Sequence, residues 1–431
     1  MMHTPRYFAG LCAIVKDETP FLREWVAYHY YIGFERIFLY DNESAIPVRE
    51  TLADFCAADI CETYTIQGLA QQNVAYNHCA TNDGLDCEWL AFFDLDEFLC
   101  LKEDDDVRIL LQDYEAYAAL SVQWDLFSSS GHITRPQGFV TLNYRQSLGE
   151  KEISKCLIRP RKFKWTYSSH HFGFTQGYAV NAEHEVALGG FAPQATDKVC
   201  LNHYMYRSQQ DYGEKLEKTD ATFGAKNSRR WEDFFAQARK PWTVHKAIVP
   251  VAAHVQALLQ KGLLRHKYPV TAPDVANVDL KAALALLQNI ARDNAGLAEV
   301  VFALCRTRFA TSQEFLRQGL LLCQRQGKKH RALALARQLL ALDATQENFL
   351  CLLTALLAAQ EQAAAQRLAH FLRKVAAYQN DGKLADGIAK ILSACEHKHA
   401  SQRASGRRHP RHVGARLRPK RVLALGRRRA A

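Results

Sequence analysis

Apolar runs of strand length alternate with segments of helical period through the first hundred residues, and this alternation most narrows the folds open to the chain. Residues 7–15 (YFAGLCAIV) form the first run. Thr19-Pro20 then supplies a hydroxyl N-cap followed by proline at the first helical position. Phe21, Trp25, Tyr28 and Ile32 continue as an apolar stripe of helical spacing that ends at Gly33. Residues 36–40 (RIFLY) are a second strand, closed by the turn-forming Asp41-Asn42-Glu43-Ser44. A third strand is expected near 59–66, a helix near 71–82, and a further strand over 89–93 (WLAFF). Such strands predict an α/β fold: a mixed, mostly parallel sheet flanked by helices. Ligands of these sheets bind beyond the carboxyl ends of the strands. Lys16-Asp17-Glu18, Asp41-Asn42 and Asp94-Leu95-Asp96-Glu97 all fall there.

The last of these clusters carries the most chemistry. Asp94 and Asp96 stand at i and i+2 directly after an apolar strand, so a strand that continued would place both carboxylates on one face. Two neighbouring like charges at such an edge call for a cation, and carboxylate oxygens suit Mg²⁺ or Mn²⁺. The pattern resembles the Asp-x-Asp arrangement by which nucleotide-sugar glycosyltransferases hold a metal against the donor diphosphate; its bland counterpart is an acidic turn. The run Lys102-Glu103-Asp104-Asp105-Asp106 reads instead as the solvated, dipole-complementing start of an amphipathic helix over 107–120.

The chain has 431 residues, room for more than one domain. From about residue 250 the sequence becomes Ala/Leu-rich and helical. Segments starting at Phe315 and Phe349 look related at an offset of 34 positions (349 minus 315), the period of tetratricopeptide-type repeats, although a small helical bundle fits as well. The expected division is 1–245 for an α/β domain, 246–396 for an all-α domain and 397–431 for a disordered basic tail. From Ser401 onward there are 11 Lys and Arg and no acid; 55 minus 11 leaves 44 basic residues against 45 acidic ones, so the net charge of +10 belongs to the tail. That tail lacks the aromatic residues that single-strand binding uses, and no specific nucleic-acid partner is expected. No apolar stretch is long enough to span a bilayer. The N-terminus lacks the apolar core of a secretory signal. The 12 cysteines include no Cys-x-x-Cys pair, which suggests neither a zinc site nor a disulfide framework. A cytoplasmic location is expected, with peripheral attachment at an inner membrane as a variant.

Several ordered motifs then carry a resemblance. Residues 11–18 (LCAIVKDE), 22–29 (LREWVAYH), 32–44 (IGFERIFLYDNES), 93–98 (FDLDEF), 155–160 (KCLIRP), His170-His171 and 202–208 (NHYMYRS) resemble bacterial family 2-like glycosyltransferases and the related family 92. The likeness covers about residues 6–240. It implies a GT-A, Rossmann-like fold and metal-dependent transfer of a sugar from a UDP- or GDP-linked donor to a glycan or lipid-linked acceptor hydroxyl. On this basis His203 joins Asp94 and Asp96 as a metal ligand. Lys16, Asp17, Glu18 and Asp41 face the base and ribose, while Lys155, Arg159 and Arg207 face the diphosphate. Glu97 and Trp124 are placed against the sugars. An inverting transfer also needs a general base, for which Asp125, His171 and Glu183 are candidates among which the sequence does not choose. The helical region lies outside the likeness and is expected to hold a protein partner or to dock the enzyme near membrane-bound acceptors. Two alternatives are a nucleotidyltransferase, for which the Gly-rich phosphate loop is missing, and a non-catalytic binding protein with a decayed transferase domain.

Overall fold

The structure is a computed structural model that describes residues 5–218, 224, 229–379 and 381–405. Its strands are β1 (Tyr7–Val15), β2 (Arg36–Asp41), β3 (Cys61–Thr65), β4 (Cys87–Phe92), β5 (Glu97–Leu101), β6 (Ala119–Phe127), β7 (Gln146–Ile158), β8 (Phe163–Ser168), β9 (His171–Phe174), β10 (Ala179–Val180), β11 (Val186–Ala187), β12 (Val199–His203) and β13 (Thr243–Val244). One large sheet runs in the order β11-β10-β6-β7-β4-β1-β2-β3, with β12 inserted between β5 and β6; β8 and β9 form a separate hairpin. The run β3-β2-β1-β4 is parallel, and β7 joins β4 and β6 antiparallel. Helices flank the sheet, as the alternation predicts, and helical segments follow it. β1 reads as a continuous apolar run because it is buried almost throughout.

Helix Thr19–Tyr31 covers one sheet face through Trp25, Val26 and Tyr28. It is tied down by polar contacts as well as by apolar ones. The Trp25 indole donates to the carbonyls of Glu97 and Asp94 at 2.9 and 3.1 Å. His29 is fully buried, with Nδ1 2.9 Å from the Trp25 carbonyl and Nε2 3.3 Å from the Leu99 amide. These distances fix the neutral tautomer that donates through Nδ1 and accepts at Nε2. Burial pushes the His29 pKa down to about 3, against about 6.5 in an unfolded chain. The unfolded state therefore binds the extra proton between those values, and the His29 contribution to stability is lost as pH falls below about 6.5. Between pH 7 and pH 5, wild type is expected to lose about 2 kcal/mol more than His29→Gln does. Urea unfolding of both proteins at the two pH values measures this; identical pH dependences would refute it.

Two sequence expectations change in the tertiary context. The helix expected over 107–120 stops at Leu111 and passes through a 3-10 turn, Gln112–Tyr114; by Ala119 the chain is already in β6. Neighbours on both edges claim β6, since β7 pairs on one side and β10 and β12 on the other. Those ladders override local helical preference. The acidic run before the helix is also less solvated than expected. Asp106 is buried and accepts from the Arg108 amide as the helix cap, Asp105 meets Lys267 and Tyr268, and Asp104 pairs with Lys328 at 2.6 Å.

Compactness divides the chain at Leu342/Asp343, well beyond the change in composition near residue 250. The reason is packing: helix Val249–Gln260 lies against helix Thr19–Tyr31, and helix Ala295–Arg306 against Val107–Leu111. Within the first unit, helices Gln313–Arg325 and Lys329–Leu342 form a hairpin; within the second, Gln346–Ala358 packs on Gln362–Gln379. The greater part of the basic tail, residues 406–431, lies outside the described residues. Among the described residues no helix is long and apolar enough to cross a membrane.

Candidate active site

The chain runs outward from β1 through β2 to β3 and then returns to the other side of β1 as β4. Connections therefore leave the β1–β4 edge in opposite directions, which opens a crevice beyond the carboxyl ends of these two strands. A cavity of about 470 Å³ lies there. Val15, Lys16 and Glu18 reach it from the end of β1, and Asp94, Leu95 and Asp96 from the end of β4. Asn42 comes from β2, Trp124 from β6, His203 and Arg207 from β12 and the turn after it, and Lys215 and Lys218 from the helix Gln209–Glu217 and its end.

The chain leaves the strand at Phe92, so Asp94 and Asp96 lie in a turn and their carboxylates diverge. Asp94 turns toward the sheet. Its Oδ2 accepts from Lys155 Nζ at 2.8 Å, and its Oδ1 accepts from Gln72 at 2.9 Å and Tyr76 at 3.4 Å. Burial would raise its pKa, but the Lys155 ammonium more than offsets that and holds the carboxyl below its usual range. Glu97 sits behind, with Oε2 accepting from the Asp94 amide at 2.8 Å and lying 3.7 Å from the Lys155 ammonium as an ion pair. Burial drives the Glu97 pKa well up, and Asp94 and Asp96 push in the same direction against Lys155. Asp96 turns the other way. Its Oδ2 meets Lys215 Nζ at 2.5 Å and its Oδ1 lies 3.5 Å from His203 Nε2. Burial opposes ionisation here too, yet Lys215 and His203 hold the Asp96 carboxyl well below the ordinary range.

Cations ring this pair. Arg207 donates to Glu18 at 2.7 Å and to the Leu95 carbonyl at 3.2 Å, with its guanidinium 3.7 Å from the centre of the Phe21 ring. Lys218 reaches Glu18 and the carbonyls of Lys16 and Asp17. Trp124 packs 4.2 Å from the His203 ring and 5.2 Å from His170. Asp96 and His203 face each other, one carboxylate and one imidazole, donor types that Mn²⁺ accepts. Asp94 is not gathered with them into one coordination sphere.

Other expected residues fall elsewhere. Asp41 accepts the amides of Ser44 and Val48 and so shapes its own turn. Asp17, at φ 54°, accepts from the Ala45 amide. Lys155 stands behind Asp94 rather than in the lining, and Arg159 pairs with Glu88. Asp125 accepts from Ser147 at 2.5 Å, outside the lining; His171 belongs to the β8–β9 hairpin beside Trp165, and Glu183 pairs with Lys198. It is the preceding His170 that lines the cavity, with its pKa pushed down to about 4, first by burial and then by Lys155.

Sequence comparison decides the family. The profile of glycosyltransferase family 92 matches residues 11–237, more than half of the chain. The chain belongs to glycosyltransferase family 92. Curated relatives include a family 92 protein of Ricinus communis, 26% identical over 250 residues (54% of this chain, 40% of the relative), and one of Oryza sativa subsp. japonica, 28% identical over 229 residues (52% and 37%). This family 92 chain thus spans about two fifths of the length of the curated relatives it matches. Among solved structures it is similar to residues 1–349 of S. aureus TarS, at 12% identity and a TM-score of 0.24 over 87% of this chain and 92% of that one. Every residue lining the cavity lies inside the family 92 span. Lys215, Lys218, Gln72, His170 and Arg229 are additions that sequence reasoning missed. The lysines offered one signal: they stand three apart at the end of a helix announced by the Ser208/Asp211 capping box. Nothing local, however, tied that helix to Asp96.

Proposed function

We propose that the crevice binds a nucleoside-diphosphate sugar, UDP- or GDP-linked, in the manner of a GT-A enzyme, and that the chain transfers the sugar to a hydroxyl of a glycan or lipid-linked acceptor. The observation that carries this is Asp96 facing His203 within a ring of Lys215, Lys218, Arg207 and Arg229. A diphosphate is the ligand class such a concentration of cations suits. Asp96 and His203 would hold a Mn²⁺ or Mg²⁺ ion, which supplies Lewis-acid stabilisation of charge on the leaving diphosphate. Arg207, kept in place by Glu18 and the Phe21 ring, supplies fixed positive charge beside it. Lys155 and Gln72 hold the Asp94 carboxylate in one orientation at the cavity wall. Trp124 and His170 line the cavity and supply aromatic surface of the kind that suits a sugar ring.

Calorimetry with UDP and GDP, each with and without Mn²⁺, tests this. One of the two nucleotides is expected to bind at least about tenfold more tightly with the metal, ~1.4 kcal/mol. Binding that ignores the metal would favour a scaffold with a decayed site, and absence of binding to either nucleotide would reject a donor site in this cavity.

A further inference from the structure

Outside the cavity lining, and beginning on the strand that ends in His203, three potential metal ligands that are far apart in sequence come together. Cys100 of β5, Cys200 of β12 and His245, directly after β13, bring two thiol sulfurs and an imidazole nitrogen within 4.8 Å of one another. This is the one such group of three among the described residues. The two cysteines are direct cross-strand partners in the antiparallel β5–β12 pair. Both are buried and unbridged. His245 is nearly enclosed, and its Nδ1 is buried without a hydrogen-bond partner. A fourth group stands beside it: Asp125 Oδ2 is 3.8 Å from His245 Nε2, and the Asp125 carboxylate is itself oriented by Ser147.

We propose that Cys100, Cys200 and His245 bind zinc as its three protein ligands, with Asp125 orienting the imidazole. The chemistry favours zinc: two thiolates and an imidazole are donors that zinc takes, with a fourth position left to a small ligand such as water, and a carboxylate on the ligating histidine is its usual outer partner. In tetrahedral geometry with bonds of about 2.0–2.3 Å, ligand atoms sit just under 4 Å apart, so closure around the ion needs only a small contraction. Binding displaces the two thiol protons to solvent, and no electron is transferred. With Asp125 as a carboxylate the filled site would carry one surplus negative charge. Lys102, which is 3.9 Å from Glu150, places a positive charge in the neighbourhood of this cluster.

The site also has a structural task. β13 is two residues long and pairs with β7 through Thr243↔Ser147 and Val244↔Gln146, continued by the His245 amide donating to the Arg145 carbonyl at 3.0 Å. A metal on His245 would add a side-chain tie from this short segment, which follows the Arg229-bearing stretch, to the strand that ends in His203.

The test is metal analysis of the full chain expressed with zinc available. About one tightly held zinc per chain is expected. Cobalt exchanged into the wild-type protein should show thiolate-to-metal charge-transfer absorption and the intense visible bands of tetrahedral geometry. Cys200→Ser and His245→Gln should each weaken zinc binding by more than about 100-fold, whereas Asp125→Asn, as loss of an outer partner, should cost about 10–100-fold. Cys156→Ser, a buried cysteine outside the cluster, and Asp96→Asn should both retain the zinc. A folded wild-type chain that holds no zinc and gives no thiolate–cobalt band would overturn the assignment even if the variants fail to fold. So would zinc binding unchanged in Cys200→Ser, or thiol titration that finds Cys100 and Cys200 joined as a disulfide.

Discussion

Asp96→Asn is expected to lower kcat/KM for sugar transfer by about a thousandfold, ~4 kcal/mol of transition-state stabilisation, while leaving the fold intact. The size follows from position. Asp96 is buried, held well below the usual carboxylate range, and shared between Lys215 and His203 at the floor of the cavity. Asparagine keeps the shape and can still accept from Lys215, so the loss is one of charge and ligand strength rather than of packing. Asp94→Asn is expected to cost less. The Asp94 carboxylate already satisfies Lys155, Gln72 and Tyr76, and its principal effect is to hold a wall of the site. Donor-hydrolysis rates of both variants across a panel of nucleotide sugars, read beside their melting temperatures, make the comparison. A folded Asp96→Asn protein as active as the parent would remove Asp96 from the reaction.

The largest effect on stability is expected far from the cavity, at Arg108→Ala, with a loss of about 3–5 kcal/mol. Arg108 is fully buried and clamps Asp106 at 2.7 and 2.9 Å and Glu35 at 3.2 Å. The same guanidinium donates to the Tyr268 carbonyl at 3.2 Å and to the Val270 carbonyl. Glu35 in turn accepts the amides of Phe8 and Ala272. Removing the arginine would leave two carboxylates buried without a cation and release the segment that leads into the C-terminal helices. Burial works against Glu35 ionisation even with Arg108 present, and its pKa is raised. The triple replacement Arg108→Met with Glu35→Gln and Asp106→Asn is therefore expected to cost less than Arg108→Ala alone. Urea midpoints of the two proteins decide this, and equal losses would show that uncompensated charge is not the cause. Gly33 explains why the clamp tolerates no crowding: its φ is +109°, and a Cβ there would fall 2.3 Å from the Asp106 carboxylate.

The N-terminal strands and helices were legible because each carries a short-range signal. The apolar run of β1 and the stripe from Phe21 to Ile32 give elements whose observed bounds lie close to those expected, although the helix starts one residue early: Thr19 is already helical, Glu18 is the cap residue, and no side chain caps it. Local pattern misled where partners outvoted it: β6 replaced the end of an expected helix once strands claimed both of its edges. The acidic run at 102–106 read as solvated because Lys267, Lys328 and Arg331 lie more than 160 positions away.

The amino-acid sequence alone thus determined the α/β class, the strand ends where polar groups cluster, and Asp94-Leu95-Asp96 as the centre of interest, because hydrophobic period and turn chemistry act over a few residues. Only the tertiary structure decided which charges meet. It separated Asp94 from Asp96, brought Lys215 and His203 to the latter, moved Asp41 and Arg159 into structural roles, and set Cys100, Cys200 and His245 side by side. Such pairings depend on strand order and register, and Coulomb and ligand interactions are felt through space over a few ångströms, regardless of separation along the chain.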